Sequence, residues 1–71
     1  MAIKKKSIGN YEVLAPVVGM HDKTVIIFDE RNGRAWHYRC GRNYIEALDF
    51  YNTIKNVSNI NKILEHAVEM K

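Results

Sequence analysis

The sequence has a single cysteine and a single proline among its 71 residues, and only four glycines. One cysteine, Cys40, cannot form a disulfide within the chain, so the fold must be stable without a covalent cross-link. No run approaches the about 18 consecutive apolar residues of a membrane span, and the N-terminus has no apolar segment typical of a signal peptide. We therefore expect a soluble, cytoplasmic protein that does not enter a membrane.

Signatures of catalysis and of metal binding are missing as well. The three histidines, His21, His37 and His66, show neither zinc-finger nor HExxH spacing with each other or with Cys40. His37 and Cys40 stand three positions apart on a predicted strand and therefore point to opposite faces, which argues against a nucleophile–base pair. No glycine-rich phosphate loop is present. We expect a non-enzymatic protein without a metal or other cofactor.

Size and charge narrow the choice of partners. Seventy-one residues make one small domain, and the little surface that such a domain buries favours a homodimer that completes the core. The net charge of +3 and the pI of about 9.2 permit nucleic acid or an acidic protein as partner without requiring either. The many isoleucines, lysines and asparagines suggest an AT-rich coding source, such as a phage or another mobile element.

The order of elements predicts an α+β fold. Residues 1–10, which include three consecutive lysines, are expected to form a flexible tail. Strands are predicted over residues 11–18, 24–29 and 35–40, and helices over residues 44–55, capped by Asn43, and from Ser58 to the end. The chain should thus form a three-stranded antiparallel sheet in the order β-β-β-α-α, with the helices packed on one face.

The predicted hairpin over residues 23–41 is the centre of this fold. Asn32-Gly33 is its turn signal, and a three-residue loop over residues 31–33 would pair Glu30 with Arg34. That register places Phe28 beside Trp36 under the helices, and aromatic cross-strand pairs stabilise sheets. A two-residue turn would shift the register by one residue and separate that pair. With the three-residue loop, the exposed face of the hairpin should carry Val25, Ile27, Ala35, His37 and Arg39.

Two functions are compatible with this exposed face. A sheet face can enter the major groove of DNA, with cationic side chains at its rim holding phosphates. The candidate nucleic-acid-binding residues are Lys23, Arg31, Arg34, His37, Arg39 and Arg42. Alternatively, Val25 and Ile27 make this face apolar enough to be a protein interface. In that case the chain would be a modulator or inhibitor of a host protein, encoded by a phage or mobile element.

Residues 24–52 resemble the DNA-binding domains of APETALA2/ethylene-response proteins and the arm-binding domains of tyrosine integrases. The matching positions are Asp29, Gly33, Arg34, an aromatic residue near His37, and Asn43, Glu46, Ala47 and Tyr51. The resemblance implies a three-stranded sheet packed on one helix, with the sheet inserted into the DNA major groove. It also implies that groove and phosphate contacts come from Arg31, Arg34, His37 and Arg39.

Overall fold

The computed structural model describes residues 4–19 and 21–70. Residues 1–3 of the predicted tail, Met20 of the predicted turn and Lys71 of the second predicted helix lie outside this description. The elements in chain order are β1 (Lys5–Ile8), β2 (Tyr11–Leu14), β3 (Thr24–Asp29), β4 (Arg34–Arg39), α1 (Tyr44–Thr53), α2 (Val57–Leu64) and β5 (Val68–Met70).

The fold is α+β, but the prediction of a three-stranded sheet is wrong. Five antiparallel strands follow one another across the sheet in the order β1-β2-β3-β4-β5. The first additional strand comes from the predicted tail. Lys6 of β1 pairs with Val13 and also directs its ammonium group to the backbone oxygen of Tyr51 at 2.7 Å, which anchors the strand to α1.

The second additional strand, β5, replaces the end of the predicted C-terminal helix. Ala67 and Val68 continue the apolar spacing of α2, yet α2 ends at Leu64. The Ala67 N–H closes a last turn on the Ile63 oxygen at 2.9 Å, and Val68 then pairs with His37 on β4. Pairing satisfies backbone groups that β4 would otherwise expose as a sheet edge, and this tertiary gain outweighs the helical pattern.

Both helices begin at asparagine caps. Asn43 caps α1 as predicted, its side chain accepting a hydrogen bond from the Glu46 N–H at 2.9 Å. Asn56, and not the predicted Ser58, caps α2, where the Asn56 and Asn59 side chains each accept from the other's backbone N–H. This reciprocal pair satisfies donors that would otherwise have no partner at the first turn.

The hairpin register differs from both registers that the sequence suggested. Asp29 pairs with Arg34, which leaves a four-residue loop over residues 30–33. The loop closes through a hydrogen bond from the Gly33 N–H to the Asp29 oxygen at 3.0 Å, and Gly33 adopts the expected positive φ of 73°. The Asp29 carboxylate accepts from the Arg31 N–H at 2.9 Å, so this side chain, rather than an aromatic pair, sets the start of the loop.

The one-residue shift exchanges the faces of β3, because successive side chains of a strand point to opposite sides. Ile27 now lies opposite Trp36, and Phe28 lies opposite Ala35. Val25 and Ile27, which were expected to face away from the helices, are 0% exposed in the core. The expected outward orientation of these two side chains is therefore wrong.

We call the helix-covered side of the sheet the inner face and the opposite side the outer face. The inner face and the helices share one core of buried side chains: Tyr11, Val13, Ala15, Val25, Ile27, Tyr51, Ile54, Ile60 and Ile63. Fully burying one Val or Ile side chain contributes about 1.5–3 kcal/mol, so this core is the main source of stability. Gly41 permits the close approach of β4 to α1, since a Cβ there would lie 2.6 Å from the Ala47 nitrogen.

Candidate functional site

The outer face carries two rows of apolar side chains that run across the strands. In the first row Leu14 lies beside Ile26, followed by His37 and then Val68. The second row crosses the same strands two residues further along and consists of Glu12, Phe28, Ala35 and Met70. The apolar members of both rows lie side by side and form a continuous surface.

These apolar side chains are accessible to solvent. Phe28 is 37% exposed, Met70 43% and Val68 58%, whereas the neighbouring Ile27 on the inner face is 0% exposed. Leu14, Ile26 and Ala35 are half-buried by their neighbours within the sheet. Within residues 4–19 and 21–70, both helices lie on the inner side, so no helix covers this surface. Contiguous apolar surface of this kind marks interaction sites in soluble proteins.

Charged groups border the apolar rows unevenly. At one corner Glu12 forms an ion pair with Lys5, with 2.9 Å between carboxylate oxygen and ammonium nitrogen. At the opposite corner Arg39 lies across from Thr24 on β3 and is exposed. No ion pair joins Arg39 to another residue in the described part of the chain. Among the described residues, the outer face therefore carries the Lys5–Glu12 ion pair and the Arg39 cation, which is open to a partner.

Three of the six predicted nucleic-acid-binding residues are engaged by carboxylates of the same chain. The ion pairs join Arg31 to Asp29 at 3.0 Å, Arg34 to Glu69 at 2.6 Å, and Arg42 to Glu46 at 3.0 Å. The pKa of each arginine is raised, above all by the hydrogen bond to its carboxylate. These cations are available to phosphates only in competition with the carboxylates that already hold them.

The other three predicted residues lie near one end of the outer face. His37 and Arg39 follow one another on the outer side of β4 and are exposed. Lys23, also exposed, precedes β3, and its backbone oxygen accepts from the Cys40 N–H at 2.9 Å. The structure thus separates the predicted set into an ion-paired group, Arg31, Arg34 and Arg42, and a group with no ion pair among the described residues, Lys23, His37 and Arg39.

The predicted interface residues have a different position from the one expected. Val25 and Ile27 are buried beneath the helices and present no surface to a partner. Their place on the outer face is taken by Ile26 and Phe28. The run of apolar residues in β3 indicated that both faces were apolar, and it was the register that decided which residues faced outward. Val68 was missed because its spacing continues the helical pattern of α2, and Met70 because it falls within the same predicted helix.

A second cluster of aromatic and charged groups lies at the loop end of the inner face. The Arg31 guanidinium stands 5.6 Å from the centre of the Tyr11 ring, and that of Arg34 stands 5.0 Å from the Trp36 ring. Asp29, 3% exposed, receives the Arg31 side chain through both carboxylate oxygens. These hydrogen bonds hold the pKa of the Asp29 carboxyl below its ordinary value. The cluster fastens the loop over residues 30–33 to the sheet.

The chemistry of the remaining candidate groups is modest. Burial raises the pKa of the Cys40 thiol, which lies 3.7 Å from the Ala47 oxygen, and so disfavours the reactive thiolate. A depression of about 160 Å³ lies between α1 and α2, smaller than the roughly 300 Å³ at which small-molecule sites begin. The part of the chain that the structure describes contains no group of three metal-ligating side chains and no helix capable of crossing a membrane.

Comparisons with known proteins do not place the chain in a family. The sequence matches no protein-family model and no curated protein, and the structure matches no solved structure. Only the surface of the molecule therefore indicates a function.

Proposed function

We propose that this chain is a non-enzymatic protein-binding protein and that the outer face of its sheet is the binding surface. The observation that carries the proposal is that, in the described residues, helices cover the inner face of the sheet and not the outer face. The inner face lies under two helices, whereas the apolar rows containing Ile26 and Phe28 are exposed on the other side. The activity would be that of a modulator, which acts by occupying a surface of a host protein.

The physical basis is the cost of leaving apolar area in water. Each Å² of apolar surface that a partner covers contributes about 25 cal/mol of favourable free energy before the costs of association are subtracted. A strand within the sheet presents this area without reorganisation, because neighbouring strands on both sides hold its backbone in place. Phe28 would be the anchor, since aromatic side chains dominate the energetics of interfaces.

A pair of matched variants tests the proposal. Ile26→Asp puts a carboxylate in the centre of the outer face, and Ile45→Asp makes the same change on α1, where Ile45 is 70% exposed. Wild type and both variants would be immobilised and exposed to a lysate of the host, and the retained proteins would be identified by mass spectrometry. We expect one protein to be retained by wild type and by Ile45→Asp but at least about tenfold less by Ile26→Asp.

The folded state of each variant must be verified by circular dichroism. Phe28→Lys provides a second change to the outer face in case Ile26→Asp does not fold. Equal retention by all four folded proteins would contradict the proposal, as would a lysate from which wild type retains nothing.

Nucleic acid is the second candidate, favoured by His37 and Arg39 on the outer face and by Lys23 at the adjoining end of the hairpin. Fluorescence anisotropy with a mixed-sequence DNA duplex and a single-stranded RNA, at about 50 and 200 mM salt, would test it. Binding that weakens with salt and with Arg39→Ala supports this second candidate. Binding that is absent at the lower salt, or that Arg39→Ala leaves unchanged, contradicts it.

A further inference from the structure

We infer that a second copy of this chain binds to the outer face, so that two sheets pack face to face around a two-fold axis. This inference rests on the proposed use of the outer face as a protein-binding surface and names one occupant for it. Its starting point is the position of the two charged corners. Glu12 and Arg39 lie on opposite sides of Ile26, and the strand registers place them at the same distance from it.

The registers give these positions directly. Glu12 is on β2 and lies opposite Phe28, two residues along β3 from Ile26. Arg39 is on β4 and lies opposite Thr24, two residues from Ile26 in the other direction. Each charge is therefore one strand and one pleat repeat away from Ile26, along the same diagonal. Consider a two-fold axis in the plane of the interface that passes through Ile26 and is perpendicular to this diagonal. Rotation about this axis exchanges the positions of Glu12 and Arg39.

With that axis, Arg39 of each copy meets Glu12 of the other, and the contact occurs twice. Glu12 already holds Lys5 at 2.9 Å, and its side chain is 25% exposed. Its carboxylate can accept from two cations, because an ionised carboxylate offers about four lone-pair sites. A pair of symmetric charge contacts is what an isologous interface requires, since each surface must be complementary to itself.

The same axis also matches the apolar rows. Ile26 lies on the axis and so does Met70, so each would pack against its equivalent in the other copy. Phe28 falls near His37 of the other copy, and Ala35 falls near Val68. With strands about 4.8 Å apart and a rise of about 3.3 Å per residue, the strands of one copy would cross those of the other at roughly 70°. This angle is close to the orthogonal class of sheet packing.

The size of the surface predicts a reversible dimer. Five strands of about five residues each cover roughly 24 by 17 Å, or about 400 Å² of flat area per copy. Side-chain relief increases the accessible area, which brings the total buried area near the lower limit of about 1,200 Å² for stable complexes. We therefore expect a dissociation constant in the micromolar range. Because the dimer occupies the outer face, another protein would bind the monomer, and its capture should decrease at high concentration of this chain.

Light scattering coupled to size exclusion tests the dimer on the intact chain. Loaded from about 5 to 500 μM, wild type should shift from the monomer mass of 8.3 kDa toward twice that mass. A monomer mass across the whole range would overturn the inference.

Charge reversal tests the predicted pairing. Arg39→Glu places two carboxylates together at each contact and should raise the dissociation constant at least about tenfold, and Glu12→Arg should act in the same direction. The double variant restores opposite charges and should recover most of the loss. Lys62→Glu, an equal charge change on the exposed side of α2, is the matched control and should leave the dimer intact.

Two results would overturn the inference even if a dimer forms. One is equal weakening by Arg39→Glu and Lys62→Glu, and the other is failure of the double variant to bind better than either single variant. Failure of the dimer is distinguishable from failure of the proposed function. If the chain is monomeric but Ile26→Asp still abolishes retention of the lysate protein, only the dimer is contradicted. If the dimer forms with the predicted pairing but no retained protein depends on Ile26, only the proposed modulator function is contradicted.

Discussion

The two faces of the sheet are built from consecutive residues of the same strands, yet they differ in cover and in charge. On β3, Val25 and Ile27 contact the helices and are fully buried, while Ile26 and Phe28 between and after them face the other side. The inner face encloses the buried carboxylate of Asp29 in a network with Arg31. The outer face leaves the cation of Arg39 at its corner without an ion pair in the residues described.

Within the six residues of β3, alternate apolar side chains therefore have different surroundings. Those beneath the two helices stabilise the chain, and those on the other side stay accessible to solvent in the described part of the chain. Changing one residue on one face and a matched residue elsewhere should separate the roles of the two faces.

The largest difference should come from truncating adjacent isoleucines of β3. Ile27→Ala removes buried atoms from the centre of the core and should lower the free energy of unfolding by about 3 kcal/mol. Ile26→Ala removes the same atoms from the half-buried outer face and should cost about 1 kcal/mol. Urea unfolding followed by circular dichroism measures both, at a concentration where light scattering shows a monomer.

Equal costs for the two variants would contradict the division of faces. A larger cost for Ile26→Ala would favour the register that the sequence suggested, in which Ile26 faces the helices. The slope of the denaturation curve should stay constant, because a changed slope would indicate a change in the unfolded state or loss of two-state behaviour.

A smaller effect is expected at the helix that covers the inner face. Asn56→Ala removes the acceptor for the Asn59 N–H at the start of α2 and should cost about 1 kcal/mol. Asn61→Ala is the matched control, since Asn61 is exposed within α2 and alanine favours a helix by up to about 0.7 kcal/mol. Thermal unfolding should therefore lower the midpoint for Asn56→Ala and leave it unchanged or raised for Asn61→Ala.

The sequence predicts the local elements well and the sheet incompletely. Asn43 at a cap and the turn glycine Gly33 have strong local preferences, and both behave as predicted. β1 pairs with β2 across the two residues Gly9 and Asn10, which form a local turn with a positive φ of 59° at Gly9. Its lysines made this segment resemble a tail. β5 has the apolar spacing of a helix and becomes a strand by pairing with β4, a long-range contact that no short window of sequence contains.

The position of the candidate site also depends on information that a short stretch of sequence does not contain. The apolar run through Phe28 predicted a strand with two apolar faces, and the structure confirms that Ile26 and Phe28 lie on one face and Val25 and Ile27 on the other. Which of these faces lay outward depended on one residue of register, and the register was set by the hydrogen bonds of the Asp29 carboxylate to Arg31. An aromatic pair between Phe28 and Trp36 was a plausible alternative, and the buried acid outweighed it.

The buried Asp29 carboxylate of the inner face should make the free energy of unfolding depend on pH in the acid range. Hydrogen bonds from Arg31 hold the pKa of Asp29 below its ordinary value of 3.8, so the unfolded state binds this proton more readily than the folded state does. The stabilisation is therefore complete well above pH 3.8 and is lost as the pH falls through the lower folded value. Asp29→Asn lacks this contribution.

Urea unfolding of wild type and Asp29→Asn across the acid range measures this effect. The variant should be less stable at pH 6, and the gap between the two proteins should narrow as the pH falls below about 4. Glu46, whose pKa is also lowered, contributes equally to both proteins and cancels in the difference. A gap that stays constant with pH would show that the Asp29 carboxylate is not held by Arg31.

The smallest effect should be local to β5, the strand that completes both faces. The Arg34 guanidinium binds both carboxylate oxygens of Glu69, at 2.9 and 2.6 Å, and so fastens β5 to β4. Arg34→Met should speed amide hydrogen exchange in Val68–Met70 by several-fold while leaving β2 and β3 unchanged, because a short edge strand opens without the rest of the sheet. Arg42→Met removes another arginine–carboxylate pair, on Glu46, and should leave β5 protected. Uniform acceleration across the sheet would mean that β5 unfolds only with the core, and the outer face would then be as rigid as the inner one.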